Sequence, residues 1–253
     1  MAGLLIRNAR VPRCFVADSD VGEGDFALVD IRIGDGIVAG IAPAKAGQER
    51  PSGLSETDVI DLDHGIVFPG FVECHTHLDK GHIWPRRSNP DGTFPGALEN
   101  VMKDREANWS AADVTLRMDF ALRSAEHHGV TAIRTHIDSL GKQIGISWPV
   151  LAETREMWKD RITLQGTPLF GIQYALDATH MRDVVAAVKA HGSGILGCVS
   201  YMIPELDQAL DVMFRTAIED GFDLDFHVDE ASDPAARSLE RIAAAAIRHK
   251  FTG

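Results

Sequence analysis

The chain has 253 residues, a formal net charge of −12, 45% hydrophobic residues and 25% charged residues. That length buries a sizeable core, as one large domain or as a medium domain with a small appendage. The acidic balance, mixed along the chain, excludes nucleic-acid phosphate and anionic membrane as main partners and suits a small neutral or cationic ligand. Cys14, Cys74 and Cys198 lie far apart with no Cys-x-x-Cys pair, which argues against a disulfide framework and a thiolate zinc site and for a reducing compartment. The opening Met1-Ala2-Gly3-Leu4-Leu5-Ile6-Arg7 has few apolar residues before a charge, and no apolar run reaches about 18 residues, so a soluble, cytoplasmic protein is expected.

In chain order, Leu4-Leu5-Ile6, 26–29, 30–41 and Val59-Ile60-Asp61-Leu62 are short β patterns with Gly/Asp turns between them, Asp35-Gly36 being a good hairpin turn. Residues 1–66 therefore read as a small β-sandwich-like domain. From Gly65 onward strands alternate with amphipathic helices, the signature of a βα repeat. The strands are predicted at 66–77, 130–138, 162–170, 195–201 and 222–228, and helices at 111–128, 143–159, 178–191, 205–220 and 233–249. Gly129, Gly192, Gly221 and Gly253 follow four of the helices as C-caps, Ser110 opens a capping box, and Pro234 suits a first helical position. The stretch 84–105, rich in Pro, Gly and Asn, reads as a long loop covering a ligand, with Trp84 or Phe94 as a pocket wall.

No Gly-rich fingerprint follows the first strand, which argues against an open doubly wound sheet. The ends of the first, second and fifth strands carry His, Arg and acidic residues, matching a (β/α)8 TIM-type barrel with its site at the carboxyl ends of the strands. Such a barrel has eight βα units; residues 67–253 supply about five.

The chemistry concentrates at His75-Thr76-His77. Side chains alternate along a strand, so the two imidazoles share a face and can grip one metal ion. The second cluster is His227-Val228-Asp229-Glu230, where Glu230 joins a site only if the chain leaves the sheet after His227; taken alone it reads as a core histidine beside solvated loop acids. In the third, Arg134, His136 and Asp138 alternate onto one face, either orienting metal ligands or contacting substrate, with a buried ion pair as the structural alternative. Lys80 borders the site and can touch substrate. His64, His82, His127, His128, His180, His191 and His249 fall in turns or at helix ends, where an imidazole is ordinary.

These residues resemble the amidohydrolase superfamily and, within it, the cytosine deaminase branch. The resemblance runs through Phe68-Pro69-Gly70-Phe71-Val72-Glu73-Cys74-His75-Thr76-His77-Leu78-Asp79-Lys80, Gly92-Thr93-Phe94-Pro95-Gly96-Ala97-Leu98-Glu99, Arg134-Thr135-His136-Ile137-Asp138 and His227-Val228-Asp229-Glu230. It implies one divalent metal, Zn²⁺ or Fe²⁺, held by His75, His77 and His227 with a strand-8 aspartate; the fourth strand contains no lysine to bridge a second ion. It also implies hydrolytic deamination of a cytosine-like aminated heterocycle. A metal-bound hydroxide attacks the amidine-like carbon, and Glu230 shuttles protons to the ring nitrogen and the departing ammonia. The strand-3 glutamine that reads the pyrimidine edge in cytosine deaminases corresponds here only to a displaced Gln173.

The resemblance places a strand-6 histidine and the strand-8 aspartate beyond Gly253, so the chain is expected to be a fragment of a longer protein or a truncated homologue. Two further functions stand beside deamination: cleavage of an alkylamino group from a triazine-like ring, and a non-catalytic metal-binding or assembly role. The expected partner is a small-molecule nitrogen heterocycle, and a homo-oligomer is allowed.

Overall fold

The computed structural model describes residues 3–17, 24–44, 58–230 and 233–253; Met1 and Ala2 of the opening stretch lie outside them. The chain divides into two compact units, Met1–Pro69 and Gly70–Gly253.

In the first unit β1 (Gly3–Pro12), β2 (Phe26–Gly34), β3 (Ile37–Pro43) and β4 (Val59–Asp61) form one sheet in the order β3-β2-β1-β4, with β4 parallel to β1. The segments read separately as 26–29 and 30–41 regroup. The first runs on to Gly34, and the chain turns at Asp35 (φ 51°) and Gly36 (φ 77°), two left-handed residues that match the twist of a tight hairpin. Alternate residues Ala9, Val11, Ala27, Val29 and Ile31 make its buried cluster. Among the described residues this unit is a single sheet, and a second sheet facing it is not among them.

The second unit begins with β5 (Phe71–Thr76), shorter than predicted, because Ile66 bridges to Arg10 in the first unit's sheet instead. There follow α1 (Phe94–Asn108), α2 (Ala111–His127), β6 (Val130–Asp138), α3 (Ile144–Trp158), β7 (Thr163–Leu169), α4 (Ala178–His191), β8 (Ile195–Val199), α5 (Leu206–Asp220), β9 (Asp223–His227) and α6 (Ser238–His249). All five strands are parallel to their neighbours. β5-β6-β7 and β8-β9 pair continuously, and the two groups join where Val199 N–H donates to Phe170 O at 2.8 Å. The helices cover one face of this array, and Trp148, Phe170, Met118, Leu122, Ile137, Leu151 and Phe214 fill the space between. The result is a mixed α/β fold with βα units in sequence order. Among the described residues no helix is long and apolar enough to cross a membrane.

Three expectations are corrected. Much of the stretch read as a loop at 84–105 is helix α1: Thr93 Oγ1 accepts from Gly96 N–H at 3.0 Å, and Glu99 pairs with Lys103 one turn on. Its Pro95, Gly96 and weak apolar pattern hide it from periodicity. Pro234 does not open the last helix; it lies in a turn, and α6 starts at Ser238. There Asp229 accepts from Ser238 N–H at 2.6 Å and Leu239 N–H at 3.2 Å, a cap supplied from nine residues upstream. That helix ends on Lys250, left-handed at φ 51°, rather than on Gly253. Ser110 does cap α2, its Oγ accepting from Asp113 N–H at 3.3 Å.

One close approach fixes the curvature between β7, β8 and β9. A Cβ at Gly197 would lie 2.5 Å from Thr167 Oγ1 and 2.9 Å from the carbonyl oxygens of Pro168 and Asp225. Gly197→Ala is therefore expected to destabilise the fold by about 1–3 kcal/mol through overpacking against backbone, read as a lower urea midpoint at unchanged slope; an unchanged midpoint would show that the strands yield freely.

Candidate metal centre

Four histidines from three strand ends converge. His75 in β5, His77 one residue past it, His136 in β6 and His227 ending β9 present ring nitrogens that all lie within 4.8 Å of one another. The rings of His75 and His227 stand 4.4 Å apart between centroids, and those of His75 and His136 4.5 Å. Strand alternation delivers them, since 134, 136 and 138 share one face of β6, and 225 and 227 one face of β9.

Their surroundings set their charge. Burial, with Lys80 and the other imidazoles nearby, brings the His77 pKa from its ordinary 6.5 down to about 2. Burial with His136 and His75 brings His227 down to about 4. Both rings are thus neutral and carry a lone pair at ordinary pH. Nε2 of His77 faces Nε2 of His227 at 3.5 Å, while the buried Nδ1 of each has no hydrogen-bond partner among the described residues. Two imidazole nitrogens bound tetrahedrally to one zinc, at bonds of about 2.0–2.1 Å, stand roughly 3.3–3.4 Å apart. The donor set, its neutrality and this spacing fit a divalent metal of borderline softness.

His136 differs from the other three. Its Nε2 faces Asp225 Oδ1 at 3.1 Å and its Nδ1 faces Thr76 O at 3.3 Å, so both nitrogens point at acceptors. Sequence reading placed His136 outside the ligand set; the structure brings it into the cluster, held by its own hydrogen bonds. Asp225 also accepts from Arg134 Nη1 at 3.2 Å, and Arg134 Nε donates to Gln165 Oε1 at 3.2 Å. Burial would raise the Asp225 carboxyl, but the bonds from His136 and Arg134 hold it below the usual carboxylate range.

A second group of charges lies at the carboxyl ends of β5 and β6. Asp138 accepts from Lys80 Nζ at 3.2 Å and from Arg105 Nη1 at 3.0 Å. Asp79, fully buried, accepts from Asp138 N–H at 2.9 Å, and burial together with the Asp138 carboxylate pushes its carboxyl well above the usual range. Thr135 Oγ1 accepts from Leu78 N–H at 2.9 Å, fixing the chain just past His77. Asp225, Asp79 and Arg105 were not singled out from the sequence. The i, i+2 relation of 225 to 227 and of 79 to 77 was the available signal.

The other candidates are spread more widely. Glu230, exposed, lies three residues past His227 beside Tyr201, on a cavity of about 180 Å³. Trp84 and Phe94 are exposed, the latter as the first residue of α1. Gln173 is exposed on the turn after β7, its side chain folded over Gly171.

No family model matches the chain. It is 46% identical to the pterin deaminase of Rhizobium rhizogenes over 254 aligned positions, 100% of this chain and 56% of that protein. It is 25% identical over 205 positions to the N-isopropylammelide isopropyl amidohydrolase of Pseudomonas sp. strain ADP, 78% of this chain and 50% of that protein. The crystal structure of Klebsiella pneumoniae 5-methylcytosine deaminase liganded with 5-fluorocytosine matches with a TM-score of 0.78 at 25% identity, over 97% of this chain and 56% of that one. The chain thus spans about half the length of the curated relatives it matches.

Two measurements test the centre. Free histidine titrates near 6.5 and these two rings far lower, so the unfolded chain takes up protons that the folded chain refuses. The metal-free protein should lose stability as pH falls from 6.5 toward 4. A urea midpoint flat across that window would contradict the neutral rings. In a Zn²⁺ titration His77→Ala should lose high-affinity binding, whereas His136→Gln should weaken it only roughly 10–100-fold, as for an orienting residue; equal losses would make His136 a ligand.

Proposed function

Because the chain belongs to the amidohydrolase superfamily, we propose that it provides the metal centre of a hydrolytic deaminase acting on an aminated nitrogen heterocycle. The observation that carries this reading is the convergence of His75, His77 and His227, two of them held neutral, with Glu230 just beyond the third. The 46% identity to a pterin deaminase favours a pterin-type ring over cytosine itself.

His75, His77 and His227 would hold one Zn²⁺ or Fe²⁺. When bound, that ion supplies the Lewis acidity that makes water a nucleophile near neutral pH. The remaining roles belong to this chain's side chains. Glu230 has no hydrogen-bond or ion-pair partner among the described residues, so its carboxylate is free to take a proton from the attacking water. It passes that proton to the ring nitrogen and then carries the proton of the new C–OH group to the leaving amine, so that water and the C(NH₂)=N group become C(=O)–NH and ammonia. His136, fixed by Asp225 and by the Thr76 carbonyl, buttresses the cluster and orients it. Lys80, held by Asp138, sets a positive charge beside it. Trp84, Phe94 and Gln173 follow the carboxyl ends of β5 and β7, the face on which barrel enzymes meet substrate, and we assign them to its periphery.

We assign residues 1–66 to the small β domain, in sandwich form, and 67–253 to five βα units of the TIM-type barrel. A cytoplasmic location belongs to the same proposal and is supported by Cys14, Cys74 and Cys198 being free thiols.

Metal-loaded protein should release ammonia from pterin, and Glu230→Gln should retain the metal while losing turnover by about 10²–10⁴-fold. Near-normal turnover of the variant would remove Glu230 from the chemistry. Alkylamine release from alkylamino-triazines, without ammonia from pterin or cytosine, would favour the triazine reading. Metal binding with no amine release from any of the three would leave a non-catalytic role.

A further inference from the structure

We propose that Tyr201 is a substrate-contact residue that selects the heterocycle, its ring walling the cavity that Glu230 faces and its hydroxyl reading an acceptor on the bound ring. The inference rests on the deaminase reading and adds a residue to it.

The placement begins with Ser200, which is buried immediately after β8. Its N–H and its Oγ each donate to the carbonyl oxygen of His227 at 2.9 Å, and its Oγ lies 2.8 Å from Ser238 Oγ. Tyr201 therefore leaves the sheet in fixed register with a histidine of the metal cluster. Glu230 leaves β9 three residues past that same histidine. The two side chains meet around a cavity of about 180 Å³ that Met202 and Asp229 also line. The Tyr201 phenol is pushed up by burial and by the Glu230 carboxylate, in keeping with their nearness.

Elimination identifies the groups free to meet a ligand. Both Asp229 oxygens are engaged at the start of α6, by Ser238 and Leu239, and Asp233 Oδ1 accepts from Ala235 N–H at 2.9 Å. Ser200 is consumed by His227 and Ser238. Among the described residues neither the Tyr201 hydroxyl nor the Glu230 carboxylate has a hydrogen-bond partner. Tyr201 and Met202 are 36% and 51% exposed, so an aromatic face and a thioether stand open at the same mouth. An acceptor carboxylate, a donor phenol and two polarisable surfaces suit a flat heteroaromatic ring with N–H donors on one edge and a carbonyl or ring nitrogen on another. Once a bound ring covers the phenol, a ring without an acceptor leaves the hydroxyl unpaired and cut off from water, which is how the contact discriminates.

The test measures equilibrium binding of pterin and cytosine to the zinc-loaded full chain by calorimetry, for the wild type, Tyr201→Phe and Tyr201→Leu. Tyr201→Phe, which keeps the ring, should weaken pterin binding roughly 3–10-fold through the lost hydrogen bond. Tyr201→Leu should weaken it further through the lost stacking surface, with zinc content and circular dichroism unchanged in both. Equal pterin affinity in all three proteins would overturn the inference, as would absence of binding by the wild type. Wild-type turnover with unaltered variants removes Tyr201 and leaves the deaminase reading intact; tight, Tyr201-dependent binding without turnover does the reverse.

Discussion

Asp225 ties together strands that do not touch. It sits on β9, and its two oxygens meet His136 and Arg134 on β6 at 3.1 and 3.2 Å, although β7 and β8 stand between those strands in the parallel array. A flat sheet would separate β6 and β9 by three strand spacings, about 14 Å. The contact therefore requires the array to curl around its interior, and Gly197, with no room for a Cβ, lets β7, β8 and β9 crowd at the tightest point. Convergence of the histidines follows from that curl.

Burial first, and then the local charges, keep the His77 and His227 rings neutral. Lys80 opposes protonation of both His77 and His227, and Lys80 itself is kept in place by Asp138, which also takes Arg105. Asp79 beneath them adds a carboxyl that burial disfavours as an anion. Two cations share one carboxylate there, so this group carries a local positive excess in a chain whose overall charge is −12. Long-range attraction from the acidic surface therefore does not dictate the field at the site; the short contacts do.

Much of this was legible in one dimension. The strand at 130–138 and the helix at 178–191 are found where apolar spacing and punctuation placed them, because each combines a clear period with a glycine or a cap at its end. Period-two alternation also put His75 and His77 on one face, while His227 was added by the resemblance. What the sequence could not disclose was partnership across the interior. Asp225 looks like a solvated acid until β6 is known to face it, and His136 could not be separated from the ligands without its two acceptors. Helix α1 was hidden for another reason. Its stability resides in Asp104, fully buried, which accepts from Arg86, Asn108 and Trp109, a pattern of polar contacts with no hydrophobic period to betray it.

That knot reaches beyond α1. Arg86 binds Asp104 and Asp113 together, Asp113 also takes Arg117 on α2, and Arg117 stacks over Trp109 while donating to the carbonyls of Asp79 and Gly81. Opening the Arg86 strap would leave the Asp104 carboxylate buried without its cation, a state far costlier than the loss of one surface pair. The amides of α1 and α2 beside this knot should therefore exchange with solvent water more slowly than those of the mostly exposed stretch 88–93.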